Sequence, residues 1–183
     1  SNFTTFIREL GEALHAEDKL LAVALHPKTS ETNPAEDNGS HAQDWDVLPK
    51  YADQLHLMTY GEHNGGTHPG PIASPDWVEP ILRYARDVRG VPADKLFLGV
   101  PLYAEAWEEL DSGAYRAAQV DLTYSDVARA RKEYTDGELS RDSYDTPSFI
   151  FQGDSGQQRI VWFENDRSVK RKLEVGREFD VCN

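Results

Sequence analysis

Three short, almost continuously apolar runs separated by loop and helix signals predict an α/β protein built on a parallel sheet. They are "LLAVALHPK" (Leu20 to Lys28), "QLHLMTY" (Gln54 to Tyr60) and "KLFLGVPLY" (Lys95 to Tyr103). Strands with one wet face alternate apolar and polar residues. Strands that are apolar throughout read as covered on both faces, as in βα units. A further observation is a change of rhythm after Ala104, where acidic residues and a hairpin signal replace the strand–helix repeat. It predicts a small α+β insertion in the series.

Each element has its own signal. Phe3, Phe6, Ile7, Leu10, Ala13 and Leu14 recur at three-to-four-residue spacing, so the chain opens in an amphipathic helix with Ser1 or Asn2 as its cap. After a turn through "HAEDK" comes the first strand, ended by Pro27, and then a polar loop from Thr29 to Gln43. The second strand stops at Gly61, before a loop rich in glycine. Ser74-Pro75-Asp76 starts a helix whose apolar face carries Trp77, Ile81, Leu82, Ala85 and Val88, with Pro80 placed where it removes one backbone bond. The third run follows. Thr123-x-x-Asp126 is a capping box opening a short helix, and "PSFIFQGDSGQQRIVWF" is two strands around Gly153-Asp154-Ser155-Gly156. Asn165 or Asp166 caps a last helix carrying Val169, Leu173 and Phe179. "FDVCN" reads as the approach to another strand.

Composition narrows the partners. With 32 acidic against 19 basic residues the formal charge is −13, which repels phosphate backbones and anionic lipid, so neither nucleic acid nor a membrane is an expected partner. No apolar run approaches bilayer-spanning length. The single cysteine, Cys182, excludes an internal disulfide. The only methionine is Met58, so Ser1 is not a native start and residues are expected upstream.

With the elements placed, the segment from Met58 to Trp107 resembles the second half of a family 18 glycoside hydrolase. The likeness is greatest to the bacterial branch that includes the spore-cortex-lytic N-acetylglucosaminidases. The family's Met-x-Tyr-Asp motif falls on Met58, Thr59, Tyr60 and Gly61. Its Gly-x-Pro-x-Tyr motif falls on Gly99, Pro101 and Tyr103, with Trp107 just beyond. Pro69 to Pro71 and "VWFEN" are also similar to this branch. The resemblance implies a (β/α)8 barrel, of which this chain holds about strands five to seven: residues 1–103 and 159–183 as partial barrel, and 104–158 as an α+β insertion on the rim after strand seven. The active site would lie at the carboxyl ends of the strands. It further implies cleavage of β-1,4 links in N-acetylglucosamine polymers, chitin or peptidoglycan. In this substrate-assisted mechanism the sugar's acetamido oxygen attacks the anomeric carbon while one glutamic acid protonates the leaving oxygen. Tyr60 would orient the acetamido group, and Met58, Tyr60, Glu62, Tyr103 and Trp107 would bind sugar. No cofactor and no metal are implied, and an extracellular or cell-envelope location is favoured.

Two departures accompany the matches. The family's Asp-x-x-Asp-x-Asp-x-Glu motif, which holds the catalytic acid on strand four, occurs nowhere in the chain. The acid is therefore expected upstream of Ser1, strand eight is expected beyond Asn183, and this chain alone is expected to be inactive. Gly61 stands where the family has an aspartate that helps hold the acid and the sugar. This leaves open a catalytically inactive, lectin-like member. An unrelated half-barrel or three-layer α/β protein is a third reading.

Other residues have simpler explanations. Glu62, His63 and His68 match no metal-ligand spacing and read as loop residues. Glu105, Glu108, Glu109 and Asp111 could form a carboxylate pair but read as a solvated lip. Trp107 is either groove wall or core packing, and Trp77 and Trp162 read as core. Unpaired strand edges and an exposed barrel interior imply self-association or pairing with the missing half of the barrel.

Overall fold

The computed structural model describes residues 1–33, 39–134, 139–153 and 156–181. Cys182, Pro34, and Asp154 and Ser155 of the expected hairpin turn lie outside them. The fold is α/β, and the described residues form one three-stranded sheet, one five-stranded sheet and four α-helices. The chain divides into two compact units. One comprises Ser1–Thr59, Asp76–Gly99 and Leu173–Asn183, and the other Tyr60–Pro75 and Val100–Lys172.

The first unit carries the parallel sheet, β1 (Ala22–Leu25), β2 (Gln54–Leu57) and β3 (Leu96–Leu98), in that order. Helix α1 (Asn2–His15) begins where Ser1 Oγ accepts a hydrogen bond from the Thr4 amide. It lies so close to the loop before β2 that a Cβ on Gly11 would sit 2.6 Å from the Tyr51 carbonyl oxygen. Glycine permits that approach. Helix α2 (Pro75–Arg83) starts at the Ser74-Pro75-Asp76 signal and accommodates Pro80, then runs into a π-helical turn at Tyr84–Val88.

The core of this sheet is one-sided. Val23, Leu25, Leu55, Leu57 and Leu96 are buried, whereas Ala22 and Ala24 are exposed and Gln54 and His56 half-buried. Covered faces on both sides had been expected from the apolar runs. Alanine, counted as apolar, is small enough to sit at an open face at little cost. The third run is also shorter than expected. Pairing with β2 stops at Leu98, and Pro101, which has no N–H to donate to a ladder, follows in irregular chain.

The second unit holds an antiparallel sheet in the order β5-β4-β8-β7-β6. Its strands are β4 (Ala104–Glu109), β5 (Tyr115–Leu122), β6 (Ser140–Arg141), β7 (Pro147–Gln152) and β8 (Gln158–Phe163). The acidic stretch that follows Tyr103 is thus β4, paired on both edges. Helix α3 (Tyr124–Tyr134) opens with the capping box: the Thr123 amide donates to Asp126 Oδ2 at 3.0 Å, and the Asp126 amide donates to Thr123 Oγ1 at 3.3 Å. Val127 of α3 joins Ala106, Phe149, Val161 and Phe163 in one apolar cluster. Asn165 Oδ1 accepts from the Ser168 amide and starts α4 (Asp166–Glu178), through which the chain returns to the first unit.

Candidate active site

The carboxyl ends of β2 and β3 are tied side by side. The Gly99 amide donates to the Leu57 carbonyl at 2.9 Å, and Thr59 Oγ1 donates to the Gly99 carbonyl at 2.7 Å. Met58, half-buried, donates its amide to the Leu25 carbonyl at the end of β1. The chain emerging from these strand ends carries the residues singled out above.

In the second unit, Tyr60 and Tyr103 meet edge to face, with ring centroids 6.3 Å apart and planes at 85°. This is a favoured aromatic geometry, with the positive edge of one ring toward the negative face of the other. Tyr60 is 37% exposed and Tyr103 half-buried, so the pair offers accessible surface, chiefly on Tyr60. The next residue, Gly61, has φ +86°, a backbone conformation that side chains other than glycine's seldom adopt. A Cβ there would touch nothing within 4 Å. Space is therefore free where the family's aspartate would stand, but the backbone is set for glycine.

Glu62 is committed to its own loop. Its carboxylate accepts from the Ser74 amide at 2.6 Å and the Ser74 hydroxyl at 3.0 Å, closing the segment from Tyr60 to the start of α2. The amides of Gly61 and Glu62 both donate to the Ile72 carbonyl, which reinforces the closure. His63 Nδ1 donates to the His68 carbonyl, and its ring packs so tightly that a Cβ on Gly70 would approach it to 2.5 Å. Among the described residues, no three or more His, Cys, Asp or Glu side chains gather as a metal site.

Trp107 is fully buried, and its indole N–H donates to the Asn64 carbonyl at 3.1 Å. The ring lies under the 60–75 segment and pins it to β4. Ser74 and Asn64 were missed by sequence reasoning. Their partners are 12 and 43 positions away, and only the Ser-Pro helix-start signal marks either one.

Of the acidic residues after Tyr103, Glu105 and Glu108 are buried, Glu109 is half-buried and Asp111 is exposed, so the solvated lip is confined to the outer end of the run. Glu108 accepts from Arg116 at 2.5 Å and from Arg159 at 3.2 Å. The Arg116 hydrogen bond, with help from Arg159, holds its carboxyl below the usual range. Glu164 of "VWFEN" behaves oppositely. Burial pushes its carboxyl up, although Lys172 Nζ at 2.8 Å and the Ser168 hydroxyl at 2.5 Å both donate to it.

The family model described as glycosyl hydrolases family 18 matches residues 1–178. The cortical fragment-lytic enzyme of Bacillus subtilis is 26% identical over 184 residues, covering 98% of this chain and 40% of that protein. A crystal structure of a chitinase from Chromobacterium violaceum superposes with a TM-score of 0.82 at 30% identity, covering all of this chain and 54% of that one. The Bacillus cereus spore cortex-lytic enzyme superposes with the same TM-score at 26% identity, covering 99% of this chain and 40% of that one. The chain thus spans only about half, or less, of the length of these relatives. With the motifs at the ends of β2 and β3 in place and the match running almost from end to end, the chain belongs to glycosyl hydrolases family 18.

Proposed function

We propose that the chain is part of a hydrolase that cleaves β-1,4 linkages next to N-acetylglucosamine, in chitin or peptidoglycan, by substrate-assisted catalysis with retention. The observation that carries this reading is the Tyr60–Tyr103 pair. Two phenols from the Met-x-Tyr and Gly-x-Pro-x-Tyr segments meet at 6.3 Å with one ring more than a third exposed. The names of the similar proteins, a chitinase and two spore-cortex enzymes, support the two candidate polymers.

In this reading β1, β2 and β3 are strands five to seven of a barrel. The Tyr60 hydroxyl donates to the acetamido group of the bound sugar and fixes its oxygen for attack on the anomeric carbon. A glutamic acid carried upstream of Ser1 gives its proton to the leaving glycosidic oxygen, and water then replaces the acetamido oxygen, restoring the original anomeric configuration. Orienting a nucleophile that already belongs to the substrate lowers the barrier through geometry rather than through a new functional group. Tyr103 walls the same sugar. Glu62 contributes by holding the Tyr60 loop, Trp107 by pinning it to β4, and Met58 by anchoring the strand end.

The test uses the longer protein that carries the upstream acid. It should release reducing ends from N-acetylglucosamine oligomers or spore-cortex fragments, with retained anomeric configuration by proton NMR. The 183-residue chain alone should release none. Binding without any cleavage by the longer protein would replace hydrolysis with the lectin-like reading, and inversion at the anomeric carbon would remove the substrate-assisted step.

A further inference from the structure

The five-stranded sheet carries large apolar side chains on both faces. One face, with Phe149, Phe151, Val161 and Phe163, packs against α3. The residues between them point the other way, and Ser148 and Ile150 on β7 lie opposite Trp162 and Ile160 on β8. The 60–75 segment covers part of this second face at Trp107, which pairs in register with Ile160. Beside that cover an open groove of about 350 Å³ remains, lined by Ile150, Ile160, Trp162, Ser148, Tyr115 and His68 among others. Ile150 is 51% exposed in it, and Trp162, read from sequence as core, is only half-buried. Tyr115 and His68 meet edge to face at 6.3 Å along one side.

We propose that this groove is a second saccharide-binding site, which takes one or two rings of a neutral β-1,4-linked N-acetylglucosamine strand. The proposal rests on the functional reading above and adds a place on the insertion where the same polymer is gripped. Charge is the first argument. The chain carries a formal charge of −13, yet no Asp, Glu, Lys or Arg lines the groove, so its occupant needs no ionic partner. Chemistry is the second. A pyranose ring has apolar C–H faces and a polar rim, and the groove is lined by the aromatic residues Trp162, Tyr115 and His68 together with Ser140 and Ser148. Size is the third. A volume of a few hundred Å³ lies in the range of small-ligand sites.

The experiment titrates the 183-residue chain with a β-1,4-N-acetylglucosamine hexamer, by calorimetry and by tryptophan fluorescence, with a glucose hexamer as control. Ile150→Asp and Tyr115→Ala should each weaken hexamer binding at least tenfold, and Ile150→Val should leave it near the original value. Circular dichroism melts check folding, and the exposed Ile150 makes its variants the safer pair. If Tyr103→Ala abolishes binding while Ile150→Asp and Tyr115→Ala do not change it, the groove is overturned and the active-site reading stands. If the unmutated chain binds no hexamer, the groove is overturned outright, and cleavage by the longer protein decides the active-site reading separately. If Ile150→Asp instead abolishes concentration-dependent self-association in sedimentation, the face joins two copies of the chain and the saccharide proposal falls.

Discussion

Tyr60 and Tyr103 differ sharply from the glutamates of the same unit. The tyrosines touch each other and leave ring surface open. Glu62, Glu108 and Glu164 each accept two or more hydrogen bonds from groups within the unit. In a glycosidase the carboxylates are the natural first suspects. Here these three are held in hydrogen bonds within the unit, and the exposed aromatic surface belongs to Tyr60. Locked groups should therefore govern stability, and open ones activity.

The largest stability effect should come from Lys172→Met. It leaves the buried Glu164 carboxylate without its cation, and removing one partner of a buried pair costs about 3 kcal/mol or more. Urea unfolding should show the midpoint falling with the slope unchanged, and the loss should grow with pH as Glu164 is forced to ionise. Glu62→Ala should cost about 2 kcal/mol, from two hydrogen bonds to a charged group, and should loosen the 60–75 loop toward protease. Gly61→Ala should cost about 1 kcal/mol through its φ of +86° alone, since nothing crowds the added methyl. A much larger loss there would mean that the loop is less open than its neighbours indicate.

Acid titration sharpens the contrast between the two buried glutamates. Glu108 is held below its ordinary range, so it binds fewer protons folded than unfolded. Its stabilisation is full above the ordinary carboxylate pKa and is lost as pH falls through the lowered folded value. Glu164 is pushed up, so its contribution is most favourable at low pH and declines as pH rises through the folded value. Stability measured across the acid range should lose part of its acid-side slope in Glu108→Gln. Glu164→Gln should remove a slope of the opposite sign.

The sequence made the local features legible and left the long-range ones hidden. The parallel strands, the Ser1 cap, the Thr123–Asp126 box and the paired β7 and β8 all follow from residues within a few positions of one another. Strand β4 did not show, because Glu105, Glu108 and Glu109 break any apolar pattern. Glu108 is buried only because Arg116 on β5 and Arg159, 51 residues away on β8, close over it. Trp107 could be wall or core until Asn64 was found above it. The closeness of Tyr60 and Tyr103 had no periodicity to predict it and came through the family motifs alone.

Tyr60→Phe tests the central claim most directly, in a longer protein that includes the proposed upstream acid. Removing one exposed hydroxyl should change stability by less than about 0.5 kcal/mol. It should lower kcat on an N-acetylglucosamine oligomer about 100-fold with KM little altered, because in the proposed mechanism the hydroxyl orients the attacking acetamido oxygen. An unchanged kcat with a normal melting curve would contradict the account and remove Tyr60 from the chemistry.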